Sequence, residues 1–135
     1  MLLLVALTSI LSVVYGVLYF VGTPLQVRVT SEFNDLALSL DGRLLAAAAQ
    51  DGTVRLWDVQ QDWAMRTLSG HKGPVISVAF GPTGSTLVSA GREGVVRLWD
   101  LSAGQVVREV IVGGGRLYGA SLSADGRLLA TVSED

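Results

Sequence analysis

The chain of 135 residues has no cysteine and a single histidine, His71. Without cysteine there is no disulfide framework, no thiolate zinc site and no cysteine nucleophile. One histidine excludes a multi-histidine metal centre, so neither a metal nor a cofactor is expected. Charge is scarce at one end: residues 1–27 contain no Asp, Glu, Lys or Arg, and all ten basic and twelve acidic side chains lie in residues 28–135. The net charge of −2 argues against a phosphate-backbone binder, which needs a basic face, and no nucleic-acid partner is expected. What remains is an apolar leader followed by a body of ordinary polarity.

The leader, residues 1–22, reads MLLLVALTSILSVVYGVLYFVG. About 20 apolar residues suffice for a helix to cross the ~30 Å hydrocarbon core. The stretch therefore predicts a transmembrane α-helix over 1–22, ended by Gly22, Thr23 and Pro24, with a linker over 23–28. The alternative is a cleaved secretory signal, which would make the body a secreted protein. That reading calls for a basic n-region, a shorter core and a small-x-small cleavage site, and this sequence has none of the three. Arg28 and Arg43 follow the span and no basic residue precedes it, so the positive-inside bias leans toward a cytoplasmic body.

The body repeats itself. Leu56-Trp57-Asp58 recurs as Leu98-Trp99-Asp100, an offset of 42. The segments 41–58 and 83–100 share nine of 18 positions, and 41–51 shares seven of 11 with 125–135. Repeats at such a period are the signature of solenoids and propellers. Turn residues cut each copy into short strands. In copy one these fall at about 36–40, 44–49, 53–59 and 64–69. In copy two they fall at 75–80, 86–90, 95–101 and 106–112, and in copy three at 117–122 and 127–132. Ala46 to Ala49 has helical propensity, yet copies two and three hold Val-Ser-Ala and Ala-Thr-Val there, so it reads as a tightly packed strand. Arg43, Arg55, Arg97 and Arg127 recur at repeat positions and read as scaffold surface. Asp58 and Asp100, at strand ends, read as turn formers. Gly113-Gly114-Gly115 reads as a connection between copies, because no strand–loop–helix context supports a phosphate cradle.

A unit of about 42 residues with four strands, a terminal Trp-Asp and a Gly70-His71 pair 28 residues before Trp99 resembles the WD-repeat β-propeller family. The resemblance covers residues 29–135. It implies an all-β fold, an incomplete propeller of four-stranded antiparallel blades, here preceded by the leader helix. It also implies a buried polar network in each blade: the His of Gly-His, a Ser or Thr, a turn Asp and the Trp. Copy two supplies His71, Ser89 and Trp99, with Glu93 in place of the Asp. Copy one has Asp51 and Trp57, with Ala47 and Val29 at the hydroxyl and histidine positions. Copy three has Thr131 and Asp135, with Gly113 at the histidine position. His71, Ser89 and Glu93 also invite a catalytic reading, but the resemblance puts them inside a blade, so no catalytic residue and no enzyme activity is expected.

Members of this family bind proteins or peptides on rim loops. By position these loops are 70–74, 112–116, 50–51 and 92–93, with Lys72, Arg92 and Arg116 as the charged candidates. The expected function is a membrane-anchored interaction scaffold. The alternative is a sensory or regulatory propeller of a transmembrane signalling protein. A propeller closes with roughly four to eight blades, whereas two copies and half a third are present. The sequence therefore reads as part of a longer chain whose remaining residues would supply the other blades.

Overall fold

A computed structural model describes residues 33–62 and 64–134 throughout, and within the first 32 residues the backbone of four strands. These are β1 (Leu2–Val5), β2 (Ile10–Val14), β3 (Val17–Phe20) and β4 (Leu25–Arg28). They form a sheet of order β2-β3-β1-β4, with β1 and β3 parallel and the other pairs antiparallel. This corrects the transmembrane helix expected over 1–22. Strands at 2–5, 10–14 and 17–20 leave no room for one continuous helix, and no helix among the described residues is long and apolar enough to cross a membrane. The physical reason is in the residue types. Val5, Ile10, Val13, Val14, Val17, Tyr19 and Phe20 are β-branched or aromatic, and such side chains favour a pleated strand.

The compact unit of residues 33–135 holds the repeats. The first sheet is a meander of β5 (Phe33–Leu38), β6 (Leu44–Ala49), β7 (Thr53–Asp58) and β8 (Ala64–Ser69). The second repeats it with β9 (Val75–Phe80), β10 (Thr86–Gly91), β11 (Val95–Asp100) and β12 (Gln105–Ile111). A hairpin of β13 (Leu117–Leu122) and β14 (Leu129–Ser133) begins a third. Neighbouring strands in these sheets are antiparallel.

The turn after the first strand of a copy is built twice from the same parts. Ser39 Oγ donates to Asp41 at 2.6 Å, Asp41 accepts the Arg43 amide at 3.0 Å, and the Leu44 amide donates back to Ser39 Oγ at 2.8 Å. Ser123, Asp125, Arg127 and Leu128 repeat the pattern. Gly42 and Gly126 take φ of +71° and +72° in these turns, a left-handed backbone that glycine adopts without strain.

The sheets stack through their first strands, β5 on β9 and β9 on β13. Between the first two sheets lies a core of Ala46, Ala48, Val54, Leu56, Leu68, Val75, Val78, Leu87, Trp99 and Leu101. Ala46 to Ala49 are wholly inaccessible on β6: small side chains let β6 approach its neighbours closely, and packing overrides the helical propensity of the run. A second core of Val88, Ala90, Val96 and Leu117 joins the second sheet to the hairpin. Burying Leu45, Leu56 and Leu87 contributes about 2–3 kcal/mol each. On β12 every residue is exposed.

Candidate functional site

Between β10 and β11 the chain turns through Gly91, Arg92, Glu93 and Gly94, and before β9 it runs through Gly70 to Pro74. Three side chains of this region join Trp99 in one line. Trp99 Nε1–H donates to Ser89 Oγ at 2.8 Å. Ser89 Oγ lies 2.7 Å from His71 Nε2, and His71 Nδ1 lies 2.7 Å from Glu93 Oε1. One proton arrangement accounts for every contact in the line, while the second Glu93 oxygen, Oε2, is buried without a partner. Ser89 donates to Nε2, and Nδ1–H donates to the carboxylate, so the imidazole is neutral. Burial favours that state: it pushes the His71 pKa below its ordinary 6.5, against the opposing pull of the Glu93 carboxylate. The His71 side chain is 1% exposed and Glu93 18%.

The line reaches the surface through Glu93, whose Oε1 also accepts the Lys72 amide at 3.3 Å. The Arg92 amide donates to Pro74 O at 2.8 Å. The buried chain thus ties loop 70–74 to the 91–94 turn. Glutamate fits where the resemblance expects aspartate because residue 91 is glycine. A Cβ there would overlap Glu93 Oε2 and His71 Nδ1. The equivalent positions in copies one and three pair Ala49 with Asp51 and Ser133 with Asp135.

Copy one is held differently. Asp51 Oδ1 accepts the Thr53 amide and hydroxyl at 3.0 and 2.6 Å, and its Oδ2 pairs with Arg55 at 3.2 Å. Trp57 is buried and packs edge-on against Phe33, with ring centroids 6.1 Å apart. The Arg55 guanidinium lies 6.0 Å from the centre of the Phe33 ring. Asp51 and Trp57 are therefore not joined in one line as the copy-two residues are. Thr131 is half-buried on β14 opposite Ala120. Asp135 and Val29 lie outside the described residues.

Gly73, Pro74, Arg92, Glu93, Gly114, Gly115, Arg116 and Glu134 line an open rim groove of about 380 Å³. Loops 70–74, 92–93 and 112–116 each supply part of it, while Gln50 and Asp51 lie elsewhere. Gln50 accepts from Asn34 at 3.0 Å. Lys72, Arg92 and Arg116 are exposed. Among the described residues no group of three metal-ligating side chains is gathered.

Two residues that the sequence left unmarked join the sheets. Asp35 Oδ2 accepts the Val78 amide at 3.0 Å and stands 3.0 Å from Ser77 Oγ, which is 2.9 Å from Ala120 O. The single Ser77 proton serves one of the two at a time. Residues 35 and 77 are one repeat apart, which was the available signal. Arg97 departs from the surface role expected for the recurring arginines. It is 9% exposed on the Trp99 face of β11, and its Nε donates to Glu109 at 2.9 Å. Arg43 does reach the surface, where it pairs with Asp58 at 3.0 Å. Asp58 Oδ1 accepts the Gln60 amide, and Asp100 Oδ1 those of Ser102 and Ala103.

Four-stranded antiparallel meanders, stacked by their first strands and ending β7 and β11 in Trp-Asp, are blades of the propeller type. The family described as WD domain, G-beta repeat, matches residues 22–58 and 63–100, and the chain belongs to it. Among similar proteins, the human F-box-like/WD repeat-containing protein TBL1Y is 56% identical over 41 residues, covering 30% of this chain and 8% of the relative. The rice U3 snoRNP-associated protein-like YAOH is 37% identical over 59 residues, covering 44% of this chain and 12% of the relative. Autophagy-related protein 16 of Arabidopsis thaliana is 36% identical over 59 residues, with the same 44% and 12% coverage. The matched region thus spans about a tenth of the length of these relatives.

Proposed function

We propose that this chain is a non-enzymatic interaction scaffold that takes a protein or peptide on the rim formed by loops 70–74, 92–93 and 112–116. One observation carries the reading. The buried line from Trp99 to Glu93 ends on the amide of Lys72, so the blade interior fixes two of the three loops that border an open groove. Binding surfaces are commonly loops held by a rigid scaffold. The names of the relatives, one an F-box-like protein and another associated with a U3 snoRNP, fit proteins that work within assemblies. Blades from further sequence would complete the ring.

Site-specific photo-crosslinking in cells tests this. A crosslinker at position 72, 92 or 116 is expected to capture a discrete protein, and one at Gln60 or Ser121, away from the groove, is not. Equal labelling from both sets removes the rim reading. A hydrolase activity abolished by His71→Ala would instead make the network catalytic.

A second reading concerns location. The 27 residues without a charge favour association with a membrane, and Arg28 and Arg43 after them favour its cytoplasmic side. Alkaline extraction of membranes together with protease protection tests both points; recovery of the full chain in the soluble fraction ends this reading.

A further inference from the structure

The rim groove carries a chemical preference, and this inference rests on the rim reading above. Arg43, Arg55 and Arg97 are each matched by a carboxylate, of Asp58, Asp51 and Glu109. Arg92 and Arg116 line the groove from two different loops, and among the described residues neither is in an ion pair. Among the described residues the groove has two carboxylates of its own. Glu93 is turned inward and engaged by His71 Nδ1 and the Lys72 amide. Glu134 is exposed, and its amide donates to Arg116 O at 2.9 Å, which fixes it at the hairpin end. Between the arginines the lining is Gly73, Pro74, Gly114 and Gly115. Three of these four residues have no side chain, so a main chain can approach closely.

We infer that the groove binds an extended peptide whose acidic side chain sits between Arg92 and Arg116 while its backbone crosses the glycine lining. Guanidinium forks match a carboxylate in two-point geometry, and they are strongest where the pair is partly shielded from water. Glu134 sets the limit on charge: it repels a run of acids and favours one isolated carboxylate with small neutral neighbours.

The test uses the full chain and two acetylated, amidated pentapeptides, Gly-Gly-Glu-Gly-Gly and its Gln counterpart, titrated while backbone amide NMR shifts are followed. The glutamate peptide is expected to move the Gly114 and Gly115 amides and to bind about tenfold more tightly than the glutamine peptide. Arg92→Gln and Arg116→Gln, both exposed and both checked for an unchanged melting temperature, should each weaken it by about threefold or more. Glu134→Gln should tighten it, and added salt should weaken it. Equal binding of the two peptides overturns the charge preference and leaves the rim reading standing. No shift at millimolar peptide overturns the inference, while crosslinking from position 92 would still report on the rim. Displacement of the peptide by an equal concentration of inorganic phosphate overturns the role of the peptide backbone.

Discussion

The carboxylate of Glu93 occupies the space in which a side chain on Gly91 would begin. The longer acid and the missing Cβ compensate each other, and copies one and three, with Ala49–Asp51 and Ser133–Asp135, carry the opposite choice at both positions. Gly91→Ala is therefore expected to destabilise the chain by about 1–3 kcal/mol, the usual cost of overpacking. Adding Glu93→Asp should recover part of that loss. Chemical denaturation of the two single variants and the double variant gives the coupling; strict additivity would mean that the two positions do not share the space.

Ser89 is wholly inaccessible and serves two partners, the Trp99 indole and His71 Nε2. Ser89→Ala leaves a buried donor and a buried acceptor without partners, at about 1–3 kcal/mol for each orphaned group. Ser121→Ala, on an exposed residue, should stay within about 0.5 kcal/mol of the parent. Thermal unfolding followed by tryptophan fluorescence separates them.

His71 makes stability depend on pH with a definite sign. Its folded pKa lies below 6.5, chiefly through burial, with the Glu93 carboxylate opposing, Arg97 adding to the lowering and Glu109 opposing it. Below 6.5 the unfolded chain therefore binds the proton before the folded one does. The contribution of this group is fully present above 6.5 and is lost as pH falls toward the folded pKa. Asp51, Asp58 and Asp100 have pKa values held below 3.8, mainly by hydrogen bonds from Thr53, Arg43 and Ser102 respectively. Their share is present above 3.8 and disappears below it. Urea midpoints measured between pH 8 and pH 3 should fall in two separate phases, and His71→Gln should flatten only the upper one.

Asp35 reaches from β5 to the Val78 amide on β9. Asp35→Ala should cost about 1.5–3 kcal/mol, the range for a hydrogen bond to a charged acceptor. It should also speed hydrogen exchange at the Val78 amide more than at other β9 amides. Uniform acceleration along β9 would show general loosening in place of a lost clasp.

Much of the blade fold was legible because it rests on local signals repeated three times. The spacing of Trp57 and Trp99 set the period, and turn residues such as Asp41-Gly42 and Gly91–Gly94 cut the strands to within about three residues of their observed ends. The charge-free leader was read as a helix, since apolar composition by itself does not separate a membrane helix from β-branched strands. Arg97 was misread because a charged residue in a strand carries no mark of whether a partner such as Glu109 waits on the next strand. The clasp of Asp35 on Val78 was unmarked because Asp35 pairs with a residue 43 positions away.

The resemblance to the WD-repeat family supplied the residues of the polar line of copy two, and the sequence by itself determined the repeat period and the order of the strands in residues 33–134. These depend on side-chain alternation and turn chemistry within one copy, which act over a few residues. Only the tertiary structure decided that Gly91 makes room for Glu93, that Asp35 joins one sheet to the next, and that Arg92, Arg116 and Glu134 border one groove. Each of these depends on how turns and sheets pack in three dimensions, and packing distances are not a property of local sequence.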